Sequence, residues 1–170
     1  YDAAEYIKDE FVSYGLKPLF GDDYFQKFPF IKGVNLPQTN SVTFFINGKP
    51  VELKPGKDFT TFSFSGKKKV KAELVFAGYG VTVPPLNYDD YADIDVKDKI
   101  VVVMNFHPEY DSVKSMFDMY SSLRQKAANA RDNGAAGIIF VNGPLSATVD
   151  ELINYDYDGA AGIQNFAVIQ

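Results

Sequence analysis

Two short apolar runs with a helical pattern between them constrain this chain most. Residues 99–104 place three valines in succession, and residues 135–141 form a second uninterrupted apolar stretch. Runs this short and this apolar suit strands buried on both faces, as in a parallel sheet. Between them, Phe117, Tyr120, Leu123, Ala127 and Ala130 lie along one face of a helix over 116–133, and Gly134 ends it. Strand, helix and strand in that order predict one right-handed parallel crossover unit over 99–141. The fold class is therefore α/β.

The surrounding sequence is rich in turns and short strands. Residues 41–46 favour a strand and run into Asn47-Gly48, the strongest short hairpin signal, before Val51-Glu52-Leu53. Pro55-Gly56 and Ser65-Gly66 mark turns, while 59–64 and 70–77 alternate as strands do. Gly78 and Gly80 break the latter strand, and Pro84-Pro85 forbid a helix directly afterwards. Near the start, Ala3, Tyr6 or Ile7, Phe11 and Tyr14 predict an amphipathic helix over 3–14 with Gly15 as its C-cap. Residues 24–28 read as a strand limited by Pro29. The tail offers a helix near 148–153, a loop containing Tyr155-Asp156-Tyr157-Asp158, and a last strand at Phe166-Ala167-Val168-Ile169.

Composition narrows the function classes. Hydrophobic residues make up 46% and charged residues 23%, enough for a packed core and against disorder. The net charge of −5 disfavours a nucleic-acid partner, because phosphate binding needs clustered cations. The absence of cysteine removes disulfides, thiolate zinc sites and thiol catalysis together. No apolar run reaches the roughly 18 residues of a membrane span. Tyr1 starts mid-pattern and the chain stops on a strand, so it reads as a piece of something longer.

Four motifs could carry chemistry. Gly78-Tyr79-Gly80 follows a strand, but a dinucleotide loop needs a third glycine opening a helix, and Val83-Pro84-Pro85 stand there instead. The glycines are read as permitting a bend. Lys67-Lys68-Lys69 with Lys71 is a basic run, read as a solvated turn guarding a sheet edge. Tyr88-Asp89-Asp90-Tyr91, with Asp93 and Asp95, resembles a calcium loop only in being acidic; the twelve-residue spacing with its closing glutamate is absent. Its aspartates are expected to bond local backbone donors over packed tyrosines. His107, the single histidine, cannot by itself build a metal site or a triad, and is expected in a surface or hinge loop.

The same residues carry a family resemblance. Phe76-Ala77-Gly78-Tyr79-Gly80, Tyr88-Asp89-Asp90-Tyr91, Asp95-Val96-Lys97-Asp98-Lys99-Ile100-Val101-Val102-Val103, Lys126-Ala127-Ala128-Asn129-Ala130 and the stretch 134–142 resemble the protease-associated (PA) domain of secreted zinc aminopeptidases. Ala4-Glu5-Tyr6-Ile7, Gly15-Leu16-Lys17-Pro18 and Tyr24-Phe25-Gln26-Lys27-Phe28 look like the start of an M28-type enzyme. The resemblance is weak over 41–70. Asp98 stands where the family usually has glycine before Lys99-Ile100.

The resemblance implies a β-rich α/β domain of the swivelling PA type (β/β/α), with an N-terminal helix and strand. Residues 1–30 would belong to a flanking peptidase fold and 31–170 to the PA insert. It implies a non-catalytic lid, substrate-access or interaction module, in an extracytoplasmic compartment. No cofactor is expected in this chain; zinc is expected in the parent peptidase domain, whose His-x-Asp motif is not matched by His107-Pro108-Glu109. Partners would be that peptidase domain and a peptide or protein substrate. Loop position after buried strands singles out Tyr88, Asp89, Asp90, Tyr91, His107, Glu109 and Tyr110 as candidate contacts. A free-standing peptide- or glycan-binding domain is the alternative of a different class.

Overall fold

The computed structural model describes residues 2–29, 39–143, 151–153, 162–163 and 165–170. The chain divides into two compact units, Tyr1–Lys32 and Gly33–Gln170.

The first unit is built on α1 (Asp2–Ser13). Its end is a Schellman motif. Gly15 takes φ +69°, its N–H reaches the Val12 carbonyl, and the Leu16 N–H reaches the Phe11 carbonyl. The strand expected at 24–28 does not form. Among the described residues of this unit the strand-type pairing is the single bridge Phe20–Asp23, so residues 24–28 have no ladder to join.

The second unit opens with the hairpin β1 (Val42–Ile46) and β2 (Lys49–Leu53), turned at Asn47 and Gly48 with φ +51° and +75°. Positive φ at both positions is the type I′ turn that Asn-Gly predicts. The main sheet has four parallel strands in the order β3 (Leu74–Phe76), β6 (Ile100–Met104), β7 (Gly137–Val141), β8 (Ala167–Ile169). A two-stranded ladder pairs β4 (Thr82–Val83) with β5 (Tyr88–Asp89). The helix α2 (Leu123–Asp132) returns the chain from β6 to β7 in the predicted crossover. Its end repeats the Schellman geometry, with Gly134 at φ +88° bonded to the Arg131 carbonyl and Ala135 to that of Ala130.

Several expectations need correction. The helix over 116–133 is broken: a 3-10 turn covers Met116–Met119 and α2 begins only after Ser122. Ser115 and Ser122 each accept a backbone N–H as N-caps, so two short helices replace one long one. The alternating stretch 70–77 shortens to β3. Residues 59–64 form no regular strand but run beside β8, exchanging bonds between Thr60 and Gln170, before a turn at 62–65. Pro84-Pro85 do not forbid a helical turn, because Pro84–Leu86 is a 3-10 helix; in a first turn their missing N–H groups cost nothing. The expected tail helix and the Tyr/Asp loop fall mainly outside the described residues, and 151–153 carry no regular structure.

β6 is buried on one face rather than two. Val101 and Val103 are fully enclosed, whereas Ile100, Val102 and Met104 are half-buried. β7 matches the prediction, with Gly137 through Phe140 buried. The core lies between the sheet and α2, where Val101, Val103, Ile138, Phe140 and Val168 meet Ala127, Ala130, Tyr91, Val96 and Phe166. A smaller cluster of Val81, Val83 and Phe117 sits beside it.

Candidate interaction site

The loop after β3 is shaped around one carboxylate. Gly78 and Gly80 adopt φ +54° and +68°, which turns the Tyr79 and Val81 N–H groups toward Asp90. Asp90 Oδ2 accepts from both, at 3.1 and 3.0 Å, and Oδ1 accepts from the Tyr88 hydroxyl at 2.8 Å. A Cβ on Gly78 would stand 2.6 Å from Asp90 Oδ1, so only glycine admits the carboxylate. The amides that would cradle a phosphate are thus held by Asp90, which removes the nucleotide reading.

The neighbouring acids behave as expected for a turn. Asp89 Oδ1 accepts from the Thr82 hydroxyl at 2.7 Å and the Tyr91 N–H at 3.0 Å, and Asp95 Oδ1 accepts from the Lys97 N–H. Tyr91 is buried in the main core, and burial holds its hydroxyl well above the usual phenol range. Among the described residues, no group of three or more His, Asp or Glu side chains is placed to hold a metal ion.

The loop after β6 corrects the expectation for His107. The ring is buried, with 6% exposure, instead of lying at the surface. It stacks on Phe117, with 5.7 Å between centroids and 3° between planes. His107 Nδ1 accepts from the Glu109 N–H, which leaves the proton on Nε2 to be donated to Asp118 Oδ1 at 2.9 Å. Ser115 Oγ donates to Glu109 Oε2 at 2.8 Å. No histidine addresses that serine, so the cluster braces the loop and does not build a nucleophile. Phe117 also meets Tyr88 edge-on at 5.0 Å, joining the two predicted loops in one place. Of the predicted residues, Tyr88, Asp90 and His107 therefore belong to a connected scaffold; Tyr91 belongs to the core; and Asp89, Glu109 and Tyr110 reach the surface.

Lys126 is the residue that the sequence reading missed. It lies on α2 with 0% exposure, and its ammonium donates to the carbonyls of Met104, at 3.0 Å, and Phe106. The charge also faces the Tyr79 ring at 5.8 Å. Burial pushes its pKa down to about 8, with Asp90 pulling the other way. Beside it, Asn129 Nδ2 donates to the Gly80 carbonyl and to Thr82 Oγ1. The available signal was position: Lys126 follows Leu123 by three residues and precedes Ala130 by four, on the inward stripe of α2. One helix thus positions both loops at the carboxyl ends of β3 and β6.

The PA-domain family model matches residues 70–168. The chain belongs to the PA-domain family. The matched stretch contains β3, β6, β7, all of β8 but its last residue, α2 and both loops, and it leaves the β1–β2 hairpin outside. The aminopeptidase from Aneurinibacillus sp. strain AM-1 has a similar structure, with a TM-score of 0.50 at 22% sequence identity. The similarity covers 79% of this chain and 25% of that one, so the chain spans about a quarter of that enzyme's length. At that identity the likeness is one of fold. No curated protein sequence matches the chain.

Proposed function

We propose that the chain is the non-catalytic PA domain of a zinc-dependent, M28-like aminopeptidase, where it serves as a lid, substrate-access or protein-interaction module. Residues 1–30 are part of the flanking peptidase fold and 31–170 the insert. The groups that hold zinc and cleave the N-terminal peptide bond lie elsewhere in the parent, which works outside the cytoplasm. The observation that carries this reading is the asymmetry of coverage: most of this chain aligns with a quarter of an aminopeptidase. The site's chemistry supports it, since its aspartates, His107 and Lys126 are spent on holding loops and not on a reacting atom.

The test is excision of residues 31–170 from the full-length protein. The reading expects zinc content to be kept while selectivity between a small chromogenic substrate and longer peptides changes. Loss of the metal, or unchanged selectivity, contradicts it. A free-standing peptide- or glycan-binding domain is the second reading, favoured by the exposed rings of Phe106 and Tyr110.

A further inference from the structure

We infer that the outer surface of the loop over 106–119 is a docking face for an extended, cationic stretch of polypeptide bearing apolar side chains. The inference deepens the proposed function and rests on it for the class of partner.

The first observation is Phe106. It takes φ +64°, the left-handed region that a bulky residue avoids. Its neighbours impose this. Asn105 and His107 are buried on either side, and the Phe106 carbonyl is held by Lys126. The ring itself is turned outward with 47% exposure. Folding gains little from an aromatic here, because glycine would adopt the same backbone more easily. Backbone strain of this sort collects at ligand clamps and switch regions.

The second observation is what stands beside it. Tyr110 tilts against Phe106 at 5.8 Å between centroids. Val113, Met116 and Met119 are exposed on the same loop, at 99%, 44% and 68%. Aromatic and methionine side chains are the enriched residues of interfaces, and methionine adapts to partners of varied shape. The loop is braced across its base by His107–Asp118 and Glu109–Ser115, so its face is ordered before a partner arrives.

Charge selects the occupant. Glu109, Asp111 and Asp118 are exposed carboxylates on the loop, against Lys114 alone. The whole chain carries −5. An anionic membrane or a nucleic acid is repelled, while a peptide with lysines between its apolar residues is attracted.

The experiment uses the 170-residue chain, isotope-labelled for amide NMR. The probe is a nine-residue peptide alternating leucine with lysine; the control replaces each lysine with glutamate. Saturable shifts confined to 105–119 at up to millimolar probe are expected, with the control much weaker. Phe106→Gly should weaken binding by about ten-fold while leaving the melting temperature equal or higher. Met119→Ser should weaken it by about three-fold. Silence at millimolar probe, shifts mapping elsewhere, equal binding of the control, or full affinity in Phe106→Gly overturns the proposal. The two ideas fail separately. Peptide binding without any effect of excising 31–170 refutes the lid reading; altered selectivity on excision without peptide binding refutes the docking face.

Discussion

His107 and Phe117 lie ring on ring, 5.7 Å apart and 3° from parallel, within the loop that leaves β6, and Phe117 carries the contact on to the loop after β3. His107 comes from the chain leaving β6, and Phe117 from the 3-10 turn Met116–Met119. Phe117 then touches Tyr88 of β5. Replacing Phe117 with alanine should empty a buried pocket, cost about 3 kcal/mol and raise amide exchange over 82–90 and 105–119 together. Protection lost from one loop only would show that Phe117 does not couple them.

Asp98 offers a test in the stabilising direction. It holds φ +59°, the left-handed region that favours glycine, and its N–H bonds the Gly134 carbonyl. Asp98→Gly should therefore raise stability by up to about 1 kcal/mol, seen in urea unfolding. A clear loss would mean that the Asp98 side chain contributes more than its backbone strain costs.

The turn around Asp90 gives the opposite sign. Gly80→Ala would bring a methyl 2.7 Å from Val103 Cγ1 at φ +68°. Asp90→Ala would leave the Tyr79 and Val81 N–H groups without their acceptor. Each should cost on the order of 2 kcal/mol in denaturant unfolding. A change near zero for Asp90→Ala would mean that water replaces the carboxylate without loss.

The pH dependence follows from Lys126, Tyr88 and Tyr91. Burial holds the Lys126 pKa at about 8, below its ordinary 10.5. Between those values the unfolded chain binds the extra proton, so stability should rise from pH 8 toward 10. Tyr88 and Tyr91 are pushed above the ordinary phenol value of 10, first by burial. Above pH 10 the unfolded chain loses those protons first, so stability should fall there. Thermal melts from pH 7 to 11 should show a maximum between. Lys126→Met should remove the rise and keep the fall; an unchanged rise in the variant would assign it to another group.

The parts of the fold set by short-range rules were legible. Two apolar runs gave β6 and β7, Asn47-Gly48 gave the hairpin, and the acidic turn satisfied its own backbone. The break at Ser122 was hidden because Phe117, Tyr120, Leu123 and Ala127 continue one helical period across it. The burial of His107 depends on Phe117 and Asp118, ten and eleven residues further on, and Lys126 on carbonyls at 104 and 106. A lysine in a helix ordinarily reads as solvated, and no local rule reports that its ammonium meets the end of a strand.

The proposed function assigns this chain an accessory role, with the hydrolytic chemistry supplied elsewhere in the parent. The most direct measurement incubates the purified chain with zinc, removes free metal, and assays both bound zinc and hydrolysis of aminoacyl p-nitroanilides. The account predicts no zinc retained in stoichiometric amount and no turnover. One zinc per chain with metal-dependent hydrolysis would contradict it.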